Sequence, residues 1–287
     1  MKTPTLRPLA GIAGTLMILA SINPVFADYA EAVLASKPAY YLQFPAVGKS
    51  LADNTAPTDS KGAAQIYATR WPVTQFTTGP RPANGFPGFP DTNLAARITG
   101  VTAKLSGIYS TKDLTTALNG SLGITAELWL YPTALPTDAQ NHGLLFIPQK
   151  NGAPALALSL TPTGIRMTGR SAEGEAAQGA ATWEHELALG KWQHLAAVWD
   201  YRQKTMRLFL NGEPIGEPVS ATTWTSQIFD FEGRFLSLIG AENINNDDTA
   251  CKGRIDEFAL YTRALSAADI AAHFAAAKTA PTQANKN

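Results

Sequence analysis

Three segments of this chain alternate apolar and polar residues with a period of two, and that alternation restricts the fold more than any other feature. In GITAELWLYP (123–132), Ile124, Ala126, Leu128 and Leu130 fall on one face and Thr125, Glu127, Trp129 and Tyr131 on the other. In WQHLAAVWD (192–200), Leu195, Ala197 and Trp199 oppose Trp192, His194, Ala196 and Val198. MRLFLNGEPIG (206–216) reads as a strand ending at Asn211-Gly212, a pair suited to the left-handed positions of a tight hairpin turn. ALALSLTPTGIRMTG (155–169) reads as two strands about a Thr-Pro-Thr-Gly turn, and FLSLIGAENINN and RIDEFALY add further strands. Strands of this length joined by turn chemistry predict an all-β chain: two antiparallel sheets packed face to face.

The flanks are different. Lys2 and Arg7 precede the apolar run LAGIAGTLMILA, and SINPVFA follows, so residues 1–27 read as a secretory signal peptide cut after Ala27. Removing them takes away two of 23 basic residues and none of 23 acidic ones, leaving a net charge of −2. That balance argues against a nucleic-acid surface and leaves neutral ligands such as glycans open. With Cys251 alone, the chain cannot build an internal disulfide, and no lipid-carrying cysteine follows the signal. The expected location is outside the cytoplasm: periplasmic, surface-bound or secreted.

YAEAVLASK (29–37) predicts one or two helical turns stopped by Pro38, followed by the short strand AYYLQF. Residues 45–93 hold seven prolines, and 45–108 is expected to be a long surface insertion in a single domain spanning 28–277. A short C-terminal helix begins at Ser266, with Asp269 closing a capping box and Ile270 and Phe274 as its apolar pair. The tail 278–287 is polar and expected to fray.

Tyr-x-x-Ala-Val-Leu, WQHLAAVWD, MRLFLNGEPIG and GRIDEFALYTRALSAADI occur in an order that resembles a bacterial LamG-like domain, of the concanavalin A-like lectin/glucanase superfamily. GITAELWLYP is similar to that family's FTISAWVKP-type strand, and Asp59-Ser60-Lys61-Gly62 to its Asp-Ser-x-Gly loop. Between 63 and 108 a Pro-rich sequence replaces the family's Phe-Asp-Gly segment. The resemblance implies a jelly-roll sandwich and a secreted, non-catalytic binding module for carbohydrate or protein, sometimes with calcium. It implies Asp256 as a structural Ca2+ ligand, and Asp59 is its most plausible companion.

The candidate sites follow from chemistry. On an unbroken strand through RIDEFALY, Asp256, Phe258 and Leu260 share one face and Ile255, Glu257, Ala259 and Tyr261 the other, so the adjacent acids point apart. Glycosidase carboxylates stand roughly 5–10 Å apart across one cleft. Neither Glu-x-Asp-x-x-Glu nor Glu-x-Asp-x-Glu occurs, and Glu184-His185-Glu186 lacks the middle Asp. Asp256 is expected either to hold calcium or to accept loop amide hydrogen bonds, and Glu257 to sit on a solvated face or pair with an Arg. Calcium takes hard oxygen ligands, so one or two acids with carbonyls suffice. AENINNDD (241–248) lacks the Gly and distant Glu of an EF-hand and reads as a hairpin loop able to bond hydroxyls. A ligand face is expected from Glu127, Trp129, His194, Arg207 and Phe209, which point out of one sheet and could stack and hydrogen-bond a pyranose. The alternative is that these side chains pack against one another or against the 45–108 insertion. The partner is therefore a glycan or an extracellular protein, the latter reading being an envelope-assembly subunit. A divergent hydrolase or lyase remains the enzymatic alternative.

Overall fold

The computed structural model describes residues 28–44, 66–68, 73–98, 108–110, 118, 120–137, 140–148, 154–170, 178–222, 224, 237–242 and 247–281. The signal segment, Asp59, Asn243–Asn246 and the end of the tail lie outside these residues.

Two antiparallel sheets face each other. Sheet one runs, in spatial order, β13 (Glu213–Pro214), β12 (Thr205–Leu210), β11 (Gln193–Asp200), β6 (Gly123–Ala134), β16 (Lys252–Tyr261), β4 (Leu94–Ile98) and β3 (Val73–Thr78). Two short strands complete it: β1 (Tyr40–Leu42) on β16 and β14 (Val219–Ser220) on β12. Sheet two runs β10 (Gln178–Glu184), β9 (Gly164–Arg170), β8 (Pro154–Leu160), β7 (His142–Pro148), β15 (Ser237–Ile239), β5 (Ile108–Ser110) and β2 (Ile66–Ala68). The alternation predicted the inner face correctly. Ile124, Ala126, Leu128, Leu130, Leu195, Ala197, Trp199 and Leu208 all join one apolar core between the sheets. Trp199 also fastens the layers, its Nε1 donating to the Thr168 carbonyl at 3.1 Å. Asn211 and Gly212 take φ of 53° and 83°, the paired left-handed geometry expected of that turn.

Two expectations are corrected. The described parts of 45–108 are not a surface insertion, since they supply β2, β3 and β4 and thereby widen both sheets. The prolines of 79–93 sit in a connection that asks for no ladder donors, and Pro82 opens a 3-10 turn there. The second correction lies in β16. Its register against β6 passes from Asp256↔Trp129 to Ala259↔Glu127, so one extra residue is inserted. Glu257 holds φ 52° at this bulge. A bulge cancels the strict alternation: Ile255 and Phe258 both enter the inter-sheet core, and Asp256 and Glu257 both lie on the opposite side.

A second apolar cluster covers the outer face of sheet one. Helix α1 (Tyr29–Ala35), capped by the Asp28 side chain, and helix α2 (Ala267–Lys278), with the expected Ser266–Asp269 capping box, lie on it. The 79–93 connection fills the space beside them with Phe86 and Phe89. Its seating is close. Gly88 donates to the Ala277 carbonyl at 3.0 Å, and any side chain at Gly88 would collide with the end of α2.

Phe258 is fully buried between the sheets just past the bulge. Phe258→Ala should cost about 3–5 kcal/mol in urea denaturation; a loss within error would show that the bulge does not send Phe258 inward.

Candidate functional site

The residues expected to form a ligand face do come together on the outer face of sheet one, but the chain's own elements cover them. Glu127, Trp129 and His194 are fully buried, Phe209 is buried, and Arg207 is half-buried at the margin. Trp129 is enclosed by Phe86, Phe89, Tyr29 and Phe274, with ring centroids at 4.6, 5.2, 5.7 and 6.0 Å. Arg207 lies over Phe209 and reaches the Leu265 carbonyl at 3.5 Å. In this arrangement the stacking surface a sugar would need is used in packing. The physical reason is the 79–93 connection and the two helices, which the strand pattern did not place.

Glu127 sits at the centre of this interface. Tyr261 Oη donates to Oε1 at 2.7 Å, His273 Nδ1 stands 3.0 Å from Oε2, and His194 Nε2 lies 3.5 Å from the same oxygen. Burial alone would raise the Glu127 carboxyl, but His273 and His194 together outweigh it and hold it well below the usual carboxylate range. Burial disfavours charge on His273 too, yet Glu127 raises it overall. The spacing of His273 three residues after Ile270 was the available signal that it faces the sheet.

Asp256 and Glu257 form a second buried polar group, which strand alternation missed. Asn93 Nδ2 donates to Asp256 Oδ2 at 2.8 Å, and the Glu257 amide donates to Oδ1 at 2.9 Å. Tyr41 Oη donates to Glu257 Oε2, with Gln43 Nε2 3.3 Å away from the same oxygen. Glu257 is thus neither solvated nor paired with an Arg. Burial raises both carboxyls, Asp256 further because Glu257 is beside it, and Glu257 is pushed up to about 7. Elsewhere Glu242 bonds Ser159, and its carboxyl is raised by burial. Cys251 is buried, its thiol pushed up to about 12. Among the described residues, no helix is long and apolar enough to cross a membrane.

A family model of the concanavalin A-like lectin/glucanases superfamily matches residues 106–271. The chain belongs to that superfamily. No curated protein sequence matches it. Solved structures share the superfamily's fold at low identity. The binding domain of Paraclostridial Mosquitocidal Protein 1 aligns with TM-score 0.60 and 15% identity, over 84% of this chain and 52% of that one. The binding domain of Botulinum Neurotoxin DC in complex with SialylT gives 0.60 and 14%, over 84% and 52%. Domain 4 of AbnA, a GH43 extracellular arabinanase from Geobacillus stearothermophilus in complex with arabinotriose, gives 0.51 and 19%, over 83% and 98%. The chain thus spans about half the length of the toxin binding domains and nearly all of the arabinanase domain.

Superfamily resemblance implies calcium at Asp256, but the donors there do not fit the ion as arranged. Both Asp256 oxygens already accept N–H groups, and Asn93 presents its nitrogen, a donor, where a calcium ligand must present oxygen. Among the described residues no group of three or more acids, histidines or cysteines, Glu127 with His194 and His273 included, is arranged so that it could hold a metal ion. A chelator should leave the melting temperature unchanged; a fall would mean that Asn93 turns its amide to let a cation in.

The pair also sets a pH dependence. A folded carboxyl above its unfolded value of about 4 binds a proton that the unfolded chain has released. The Asp256–Glu257 contribution is therefore full at low pH and lost as pH rises through the raised folded values, near 7 for Glu257. Glu127 runs oppositely: its contribution is present above the usual carboxylate range and lost as pH falls toward its depressed folded value. Stability should peak at about pH 4 to 5 and decline from there as pH rises to about 7, where the Glu257 contribution is spent. Glu257→Gln should flatten that decline in thermal melts, and an unchanged slope would show that the pair does not titrate there.

Proposed function

We propose that this chain is an exported, non-catalytic module that binds extracellular glycan. The observation that carries this reading is the alignment with an arabinanase domain over nearly that domain's full length, a domain described in complex with arabinotriose. A sialyl-sugar complex among the toxin binding domains adds to it. The fate of the acids supports the non-catalytic part. Glu127, Asp256 and Glu257 are buried beneath the helices and the 79–93 connection, bonded to His273, Asn93 and Tyr41. A glycosidic bond needs two carboxyls facing one accessible cleft. The charged start, apolar run and small residues around Ala27 support export.

Protein recognition is the second reading, favoured by a related toxin binding domain in complex with rat synaptotagmin II, at TM-score 0.56 and 12% identity.

A glycan array probed with the folded chain should show retention on a restricted set of saccharides. Uniform background would remove the glycan reading, and release of reducing ends from a retained polysaccharide would remove the non-catalytic one.

A further inference from the structure

The cover over sheet one stops short of one row of side chains. Tyr131 on β6, Arg254 on β16 and Arg97 on β4 are cross-strand neighbours in register. All three point to the outer face, because Ala96, Ile98, Leu130 and Ile255 beside them point into the core. Arg97 is exposed, and Arg254 and Tyr131 are half-buried.

Directly opposed like charges on adjacent strands are destabilising unless something neutralises them. Among the described residues, no carboxylate pairs with Arg97 or Arg254. Arg254 is nonetheless held in place. Its guanidinium lies 4.6 Å from the Tyr131 ring centroid, and Nη1 donates to the Thr78 carbonyl at 3.2 Å. Tyr131 is braced in turn by Trp192, ring to ring at 5.4 Å. A guanidinium held over an aromatic ring and bonded through one nitrogen keeps further donors for a ligand and has less side-chain freedom left to lose. Beside the Tyr131 hydroxyl runs the turn at Gly190, preceded by Leu189, which is 50% exposed. The row therefore offers, among the described residues, two guanidiniums with no carboxylate partner and a phenol hydroxyl, with an exposed aliphatic residue nearby.

We infer that this Tyr131–Arg254–Arg97 row binds the acidic group of a saccharide bearing carboxylate or sulfate. Two guanidiniums suit the paired oxygens of such a group. The Tyr131 hydroxyl, beside the Gly190 turn, can meet a neighbouring sugar hydroxyl. A ligand here relieves the Arg97–Arg254 repulsion, whereas a neutral sugar leaves it. The inference rests on the glycan reading above and narrows it to acidic saccharides.

Isothermal titration calorimetry of the full chain at low salt tests it, with tetragalacturonate, a heparin tetrasaccharide and neutral cellotetraose as probes. At least one acidic probe should bind about ten-fold or more tighter than the neutral one. Added salt should weaken that binding. Arg97→Gln and Arg254→Gln should each erase the preference, and Arg97→Lys should restore only part of it. Arg97 is exposed, so Arg97→Gln tests the row even if Arg254→Gln disturbs Tyr131; thermal melts confirm the fold. Acidic binding indifferent to both substitutions, or a neutral probe bound equally well, overturns this inference and leaves general glycan binding standing. Failure of all saccharides to bind removes both, and binding only to an acidic protein overturns it in favour of protein recognition.

Discussion

A carboxylate without solvent must find partners, and Glu127 organises the outer half of this molecule by that need. Leaving a charge buried and unpaired costs several kcal/mol. The partners come from different elements: Tyr261 lies on β16, His194 on β11 and His273 on α2. Sheet one is therefore incomplete until α2 docks. Docking in turn seats the 79–93 connection, through Gly88 on the Ala277 carbonyl and Lys278 on the Gly85 carbonyl. That connection brings Phe86 and Phe89 over Trp129 and Asn93 onto Asp256. One buried acid thus couples the C-terminal helix to a segment nearly two hundred residues earlier.

The layer structure was legible because period-two alternation reports which side of a strand is inward. It worked for β6, β11 and β12, where the ladder is regular, and the capping box at Ser266 was equally local. It failed at β16 because one inserted residue changes the parity of everything beyond it, and no residue type near Asp256 announces a bulge. It also could not say what lies on an outward face. Trp129, His194 and Phe209 look the same in sequence whether they meet solvent, ligand or a helix. Resolving that required knowing that a Pro-rich stretch with little regular pattern folds back as a cover. The prolines of 45–93 suggested a surface insertion and did not reveal that Phe86 and Phe89 anchor part of it on the sheet.

That cover narrows where recognition can occur. Superfamily membership fixes the sandwich, and the name of the superfamily spans lectins and glucanases alike. In this chain the middle of sheet one is closed by α1, α2 and 79–93, so its aromatic residues serve stability. Among the described residues the cover leaves open the Tyr131–Arg254–Arg97 margin, where Arg254 lies over Tyr131 and Tyr131 against Trp192. If the proposed glycan reading holds, a margin beside a sealed centre suits shallow binding of a chain end or branch better than enclosure of a long polymer.

The bulge and the acids explain each other. Along one edge of β16, β4 pairs with Gly253 to Ile255 and β1 pairs with Phe258 to Leu260. The partner strand changes between them, at Asp256 and Glu257, where the backbone has no ladder on that side. An unpaired amide in a buried seam is costly, and the Asp256 carboxylate takes up the Glu257 N–H. Asn93, just before β4, and Tyr41 and Gln43, on and just after β1, then bond the two acids from either flank of the gap. Asp256 and Glu257 stand at the join between two strands sharing one edge of β16. Their chemistry is that of a seam: hydrogen-bond acceptors placed where a sheet cannot supply its own.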